Sequence, residues 1–275
     1  MSEANTVVIK PRDKTAINFK ELWHYKELFY FFTWRDIKVR YKQSALGAGW
    51  AIIQPFATMV VFTLFFNKVA GIKSGAVPYA IFSYTGLIFW NYFSSAFSQV
   101  SSSLVANQGV ITKIYFPRII LPVSATLLGL IDFFFAAIVF TGLEFYYHIA
   151  PGLSGILMLA PMLALSLITA LGLGTFFASL NVKYRDVRAI VPFIIQLGLF
   201  LTPVIYPISQ IPHKYQWILS LNPMSSVINV MRAGLLHQGS INWANLGVSV
   251  ISAGVLLWLG IAYFGRTERQ FADII

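Results

Sequence analysis

The sequence predicts an all-α integral membrane protein: six transmembrane helices, an N-terminal amphipathic helix lying along the membrane interface, a short amphipathic helix in a cytoplasmic turn, and two short re-entrant outer helices before the last span. Three observations carry this. Of the 275 residues, 57% are apolar and 11% are charged, whereas a soluble domain carries about a quarter charged residues. Apolar runs recur at or near the roughly 20 residues that cross a hydrocarbon core. Lysine and arginine gather on alternate connections, as they do in cytoplasmic loops.

The runs are 45–66, 79–105, 119–147, 153–180, 189–206 and 243–264. The segment through Lys42, the turn with Lys113 and Arg118, the turn with Lys183, Arg185 and Arg188, and the tail with Arg266 and Arg269 hold sixteen of the 20 basic residues; Lys68, Lys73, Lys214 and Arg232 fall on the other side. Both termini are therefore expected in the cytoplasm, and an even number of spans agrees. The net charge of +10 reports orientation, and no nucleic-acid partner is expected. With no cysteine, neither a disulfide framework nor a thiolate metal site is expected.

Residues 1–18 form a polar tail without the apolar core of a cleaved signal, so the first span is expected to serve as an uncleaved one. Residues 19–43 form the interfacial helix. At 100° per residue, Phe19, Trp23, Tyr30, Trp34, Ile37 and Tyr41 share one face, and Lys20, Glu27, Arg35, Lys38 and Lys42 lie opposite. A basic helix with such an aromatic stripe lies in the interface. The small residues of Ser44-Ala-Leu-Gly-Ala-Gly49 then form the joint at which the chain turns to cross. Residues 44–265 make one six-span domain, and 266–275 a cytoplasmic tail.

Gln54-Pro55 places a polar side chain and a freed carbonyl inside the first span, where neighbours or water must satisfy them. The second span mixes Tyr84, Phe89, Trp90, Asn91, Tyr92 and Phe93 with many serines. Each serine alone serves helix packing equally well; the cluster of aromatics and amides suggests a lining. After the fifth span come Pro203, Pro207, Pro212 and Pro223. Asn222-Pro223 has the form of an N-cap followed by proline at the first helical position. Residues 215–221 and 223–236 are too short or polar to span, so two helices dipping back into the outer leaflet are expected, with a plain extracellular cap as the alternative.

Enzymatic chemistry lacks a constellation. His24, His148, His213 and His237 show no metal-ligand spacing, and no metal is expected. Asp132 and Glu144 are the only acids within spans, and an ionisable residue there suggests function. Twelve residues turn them about 120° apart on an ideal helix, so they form no carboxylate pair. Asp132 is expected to bond a neighbouring helix, and Glu144 to reach the interface. No phosphate-cradling Gly-x4-Gly-Lys-Ser/Thr loop occurs; if ATP is used, another chain binds it. Between the second and third spans, NQGVITKIYFPRIILP (107–122) is longer than a turn requires. Val110, Ile111, Ile114 and Tyr115 can form one side of a short helix, with Lys113 and Arg118 polar and Pro117 and Pro122 closing it. A docking element for a partner and an interfacial elbow both fit.

FTWRDIKVRYKQSALGAGWAIIQP, then NQGVITKIYFPRIILPVS, NVKYRDVR and LTPVIYP, resemble the permease subunits of ABC type-2 transporters that export O-antigen, capsule or teichoic acid. The similarity runs from about Glu21 to Phe264. It implies a homodimer paired with two copies of an ATP-binding subunit, which binds ATP and magnesium, and a lipid-linked polysaccharide substrate crossing the bacterial inner membrane. By motif, Asn107, Ile111, Lys113, Tyr115, Phe116 and Arg118 belong to the coupling helix seated in the ATPase. Arg35, Asp36 and Lys38 belong to the interface helix, which also touches it. Arg40, Tyr41 and Lys42, next to the joint, would admit the lipid-linked pyrophosphate. Pro203, Tyr206 and Pro207 match the outer gate. With sugars stacking on aromatic faces, Trp50, Tyr84, Phe89, Trp90, Asn91 and Tyr92 are the expected channel lining. A secondary transporter or channel should show repeats or buried charges, and a membrane-bound glycan enzyme a clustered acid, base or metal set; neither signature is visible.

Overall fold

A computed structural model describes residues 23–42, 47, 49–184 and 186–268. The N-terminal tail, Phe19 and Lys20 of the amphipathic helix, joint residues 43–46 and 48, Arg185 and residues 269–275 lie outside the described residues. Every regular element within them is helical: α1 Lys26–Lys42, α2 Gly49–Phe62 continuing into a π-helical stretch Thr63–Val69, α3 Tyr79–Ala106, α4 Gln108–Ile111, α5 Ile120–Tyr146, α6 Leu153–Lys183, α7 Val187–Leu201, a 3₁₀ turn Ile208–Gln210, α8 His213–Ser220, α9 Pro223–Leu235 and α10 Trp243–Thr267.

Among the described residues, four stretches are long and apolar enough to cross a membrane: Gly49–Val69, Ile120–Tyr146, Leu153–Lys183 and Trp243–Thr267. The 28 residues of α3 reach about 42 Å at 1.5 Å per residue, but its serines and amides dilute its apolarity. With 15 residues, α7 falls short of the roughly 20 that span. It ends at Leu201 instead of running to Tyr206: Pro203 disfavours helical backbone at the preceding residue, and Thr202 is extended at φ −96°, ψ 141°. At the C-terminus, α10 continues to Thr267, so the polar tail starts later than 266.

The centre of the bundle is α3, which packs against α5 and α6 and touches α2, α7 and α9. Tyr84, Phe89, Trp90, Tyr92, Phe93 and Phe97 are all buried on it. Between apolar helices surrounded by lipid, close packing replaces the hydrophobic effect as the source of association. Glycine permits it where α6 crosses α10: a Cβ on Gly260 would meet the Gly172 carbonyl oxygen, and a Cβ on Gly172 would come within 2.6 Å of the Leu257 nitrogen. Short helices, α8 and α9, occupy the segment after Pro212. Asn222 caps α9, its side chain accepting from the Met224 amide at 3.1 Å, and its Nδ2 donates to Thr202 Oγ1 at 2.8 Å.

The face that α1 turns toward the bundle is one the sequence expectation did not mark. Trp23, Tyr30 and Trp34 are exposed, 74%, 66% and 47% respectively, while Phe32 is buried with Tyr25, Leu28 and Phe29 packed around its cluster. Aromatic residues occur all round this helix, so the stripe with most tryptophan faces outward, where indole and lysine suit an interface. Lys38 lies 5.3 Å above the exposed Trp34 ring. Arg35, expected on the solvent side, turns inward.

Candidate functional site

Two adjoining cavities lie where α1 meets α3 and α5. The first, about 390 Å³, is lined by Arg40 and Tyr41 from α1, Trp50 and Gln54 from α2, Asn91 and Tyr92 from α3, and Asp132 from α5. Residues expected to admit substrate and residues expected to line a path thus share one space. Asp132 ties them together. Its Oδ1 accepts from the Tyr41 hydroxyl at 2.6 Å, and its Oδ2 pairs with Arg40 Nη2 at 2.5 Å. Burial first, then the hydrogen bond and charge of Asp132, hold the Tyr41 phenol above its ordinary pKa, so it remains a donor.

Two buried polar atoms in this lining have no hydrogen-bond partner among the described residues: Arg40 Nη1 and the Tyr92 hydroxyl. Buried polar atoms are nearly always paired. A guanidinium donor, a phenol, the amides of Gln54 and Asn91 and the half-exposed Trp50 ring together suit a ligand with an anionic head and hydroxyl groups. Lys42 is exposed beside this mouth, and the joint residues before Gly47 lie outside the described set.

The second cavity, about 430 Å³, is lined by Arg35, Asp36, Arg40, Gln99, Ser102 and Asn107, among others; Arg40 borders both. Arg35 holds Asp36 through Nε and Nη2, at 2.9 and 2.7 Å, and donates from Nη2 to Asn107 Oδ1 at 2.6 Å. Asn107 in turn donates to the Ser103 carbonyl at 2.8 Å. The amphipathic helix is thereby fastened to the start of the 107–118 turn.

That turn is less helical than expected. α4 has four residues, and helical hydrogen bonds continue only as far as Ile114, whose amide reaches the Val110 carbonyl at 3.2 Å. Its faces also differ from expectation. Ile111 and Phe116 are buried, Phe116 against Phe32 at 5.7 Å, while Ile114 and Tyr115 are 51% and 65% exposed. Ile111 and Phe116 thus pack within the chain, whereas Lys113 and Tyr115 face outward. Arg118 fastens the far end: its guanidinium donates to the Glu268 carbonyl, and its amide to Glu268 Oε1 at 3.3 Å.

The expected lining divides. Trp50, Asn91 and Tyr92 border the first cavity, but Tyr84, Phe89 and Trp90 fill the interior. Tyr84 donates to the Ala136 carbonyl at 3.2 Å, Phe89 meets Phe133 at 5.2 Å, and Trp90 covers Gly198 so closely that a Cβ there would come within 2.7 Å of its ring. Because α3 is surrounded by other helices, most of its aromatic side chains meet neighbours. Glu144 also departs from expectation: it is buried, its Oε1 lacks a partner, and it borders an apolar cavity of about 280 Å³.

At the other end of α3, Arg232 is a site the sequence reading counted only as a loop charge. Its guanidinium is buried and donates to the carbonyls of Phe82 at 3.2 Å, Pro203 at 2.5 Å and Val204 at 2.6 Å, stacked 3.5 Å from the Phe82 ring centre. The expected gate residue Pro203 is thus clamped. Tyr206 bonds the Phe200 carbonyl at 3.0 Å, and Pro207 borders a cavity that Arg232 also lines. An arginine inside VINVMRAGLL, an otherwise apolar helix, was the available signal.

Comparison with known proteins adds an independent observation. The chain matches the family described as ABC-2 type transporter over residues 27–236. It is 31% identical over 251 residues to the O-antigen export system permease protein RfbA of Klebsiella pneumoniae, covering 90% of this chain and 95% of that protein. The corresponding protein of Myxococcus xanthus is 29% identical over 261 residues, covering 93% and 98%. The polysialic acid transport protein KpsM of Escherichia coli is 22% identical over 244 residues, covering 86% and 91%.

Proposed function

We propose that this chain, which belongs to the ABC-2 type transporter family, is the membrane permease of an ATP-driven exporter that moves lipid-linked polysaccharide across the bacterial inner membrane. In this reading the chain is no enzyme. It crosses six times with both termini in the cytoplasm, α3 and α7 completing the count, and it works as a homodimer with two ATP-binding subunits that carry ATP and magnesium. The names of its relatives support a glycan substrate.

The observation that carries the mechanism is the shared cavity of Arg40, Tyr41, Trp50, Asn91 and Tyr92. A lipid-linked pyrophosphate would place its charge at the unpartnered Arg40 Nη1, where a charge-assisted hydrogen bond contributes about 1.5–3 kcal/mol. The first sugars would meet Trp50, Asn91 and the Tyr92 hydroxyl. Lys113 and Tyr115 would sit in the ATP-binding subunit. Closure of that subunit would pull the 107–118 turn, the Arg35–Asn107 bond would pass the motion to α1, and Arg40 and Tyr41 would pass it to α5 through Asp132. Asn107 follows the last residue of α3, and Arg40 and Tyr41 lie in the last turn of α1, positions that suit them to act as levers.

Depletion of the chain in its native cell tests this. Loss of surface polysaccharide with build-up of its lipid-linked form inside, restored by the wild-type chain, is the expected result. Normal surface glycan after depletion would contradict it.

A further inference from the structure

At the end of the bundle opposite α4 lies a cavity of about 500 Å³ between α8, α9, α10 and the loop before α10, within the range of about 300–1,000 Å³ for ligand sites. Its polar lining is unusual in being nearly uncharged. Arg232 is its single ionised side chain; its guanidinium is buried, and three of its five N–H donors go to carbonyl oxygens. Four other groups remain open. Ser225 is 1% exposed, and its hydroxyl has no partner. Asn229 commits its Nδ2 to the Ser225 carbonyl at 2.8 Å, leaving Oδ1. Gln238 commits its amide nitrogen to the Ser74 carbonyl, leaving Oε1 buried and unpartnered. The Asn245 side chain makes no hydrogen bond among the described residues, although its backbone amide is capped by Asn242.

We propose that this cavity is a binding subsite for a neutral saccharide segment, separate from the Arg40 cavity, which lies against the middle of α3. The proposal rests on the exporter reading above. Hydroxyl groups of a sugar both donate and accept, and the cavity offers both, from Ser225 and Asn245 and from Asn229 and Gln238. A phosphate or carboxylate would require a cation presented to it, and the Arg232 guanidinium is buried, stacked on the Phe82 ring and bonded to three carbonyls. An acyl chain would leave the buried Ser225 and Gln238 atoms unsatisfied, an unfavourable arrangement. Arg232 itself is a positioning residue: by clamping Pro203 and Val204 against Phe82, it holds the wall from which α9 presents Ser225 and Asn229. Such a subsite would let emerging sugar replace water on these groups and bias movement outward.

The test uses the chain with its copurifying ATP-binding subunit in lipid nanodiscs and, as probe, a neutral oligosaccharide released by mild acid from the glycan exported by the same cells. Saturation-transfer NMR should detect binding to the wild type. Ser225→Ala with Asn229→Ala, and independently Asn245→Ala, should each weaken it by ~10-fold, the loss expected for one or two hydrogen bonds, with unchanged copurification and melting temperature. Equal binding by wild type and both cavity variants, or none to a wild-type preparation that exports glycan, would overturn the subsite while the exporter reading stands. Absence of glycan export by the wild-type complex would overturn both.

Discussion

Arg35 on α1 donates from Nη2 to Asn107 Oδ1 at 2.6 Å, joining two segments that sequence alone places far apart. If this bond transmits motion between the turn and α1, Arg35→Ala should retain the ATP-binding subunit but lose most of the glycan stimulation of its ATPase. Asn107→Ala should behave alike, and the double variant little worse than either, because both remove one interaction. Full stimulation in Arg35→Ala would remove the bond from the coupling path.

Lys113 and Tyr115 face outward while Phe116 packs on Phe32. Lys113→Glu with Tyr115→Ala should weaken retention of the ATP-binding subunit about tenfold or more, as loss of an aromatic and charged anchor does, without lowering the melting temperature. Phe116→Ala should lower it, since truncating a buried phenylalanine costs roughly 3–5 kcal/mol. Equal retention by wild type and the Lys113/Tyr115 variant in a competitive pull-down would place the docking surface elsewhere.

Asp132 holds both Tyr41 and Arg40. Asp132→Leu leaves the Arg40 charge without its counter-ion, and should destabilise the protein by about 1–3 kcal/mol, read as a lower midpoint in detergent melting. Tyr41→Phe removes one hydrogen bond and should cost about 0.5–1.5 kcal/mol. The reverse order, with Tyr41→Phe the more damaging, would show that Asp132 is not the centre of this contact.

Trp50 and Trp90 should separate transport from packing. Trp50→Ala, at the half-exposed cavity wall, should cut export several-fold at normal protein level. Trp90→Ala opens a void against Gly198 and should reduce folded yield first, by a cost of roughly 3–5 kcal/mol. Surface-glycan quantification at matched membrane abundance distinguishes them; normal export by Trp50→Ala would take Trp50 off the path.

How far these features were legible varies with the physics behind them. Helices α2, α5, α6 and α10 are marked by length and apolarity, properties local to each segment. The Asn222-Pro223 start of α9 was readable because capping needs only adjacent residues. The inward side of α1 was not: Phe29, Phe32, Tyr30 and Trp34 are all aromatic, and which pair faces the protein depends on Phe116 and Asn107, distant in the chain. The composition of the second span suggested a lining, yet pattern could not separate Asn91 and Tyr92, which border the cavity, from Tyr84 and Trp90, which meet neighbouring helices. Arg232 was missed because it was counted as a loop charge, although its apolar neighbours marked it.

The account turns on ATP-driven passage of a lipid-linked glycan through this chain. The most direct measurement reconstitutes the tagged chain with its copurifying ATP-binding subunit in proteoliposomes and follows transfer of lipid-linked glycan to the far leaflet. Transfer that requires ATP, and falls in both Arg40→Ala and Arg35→Ala, is the expected result. Transfer that proceeds without ATP or the second subunit would contradict it and point to a secondary transporter or channel.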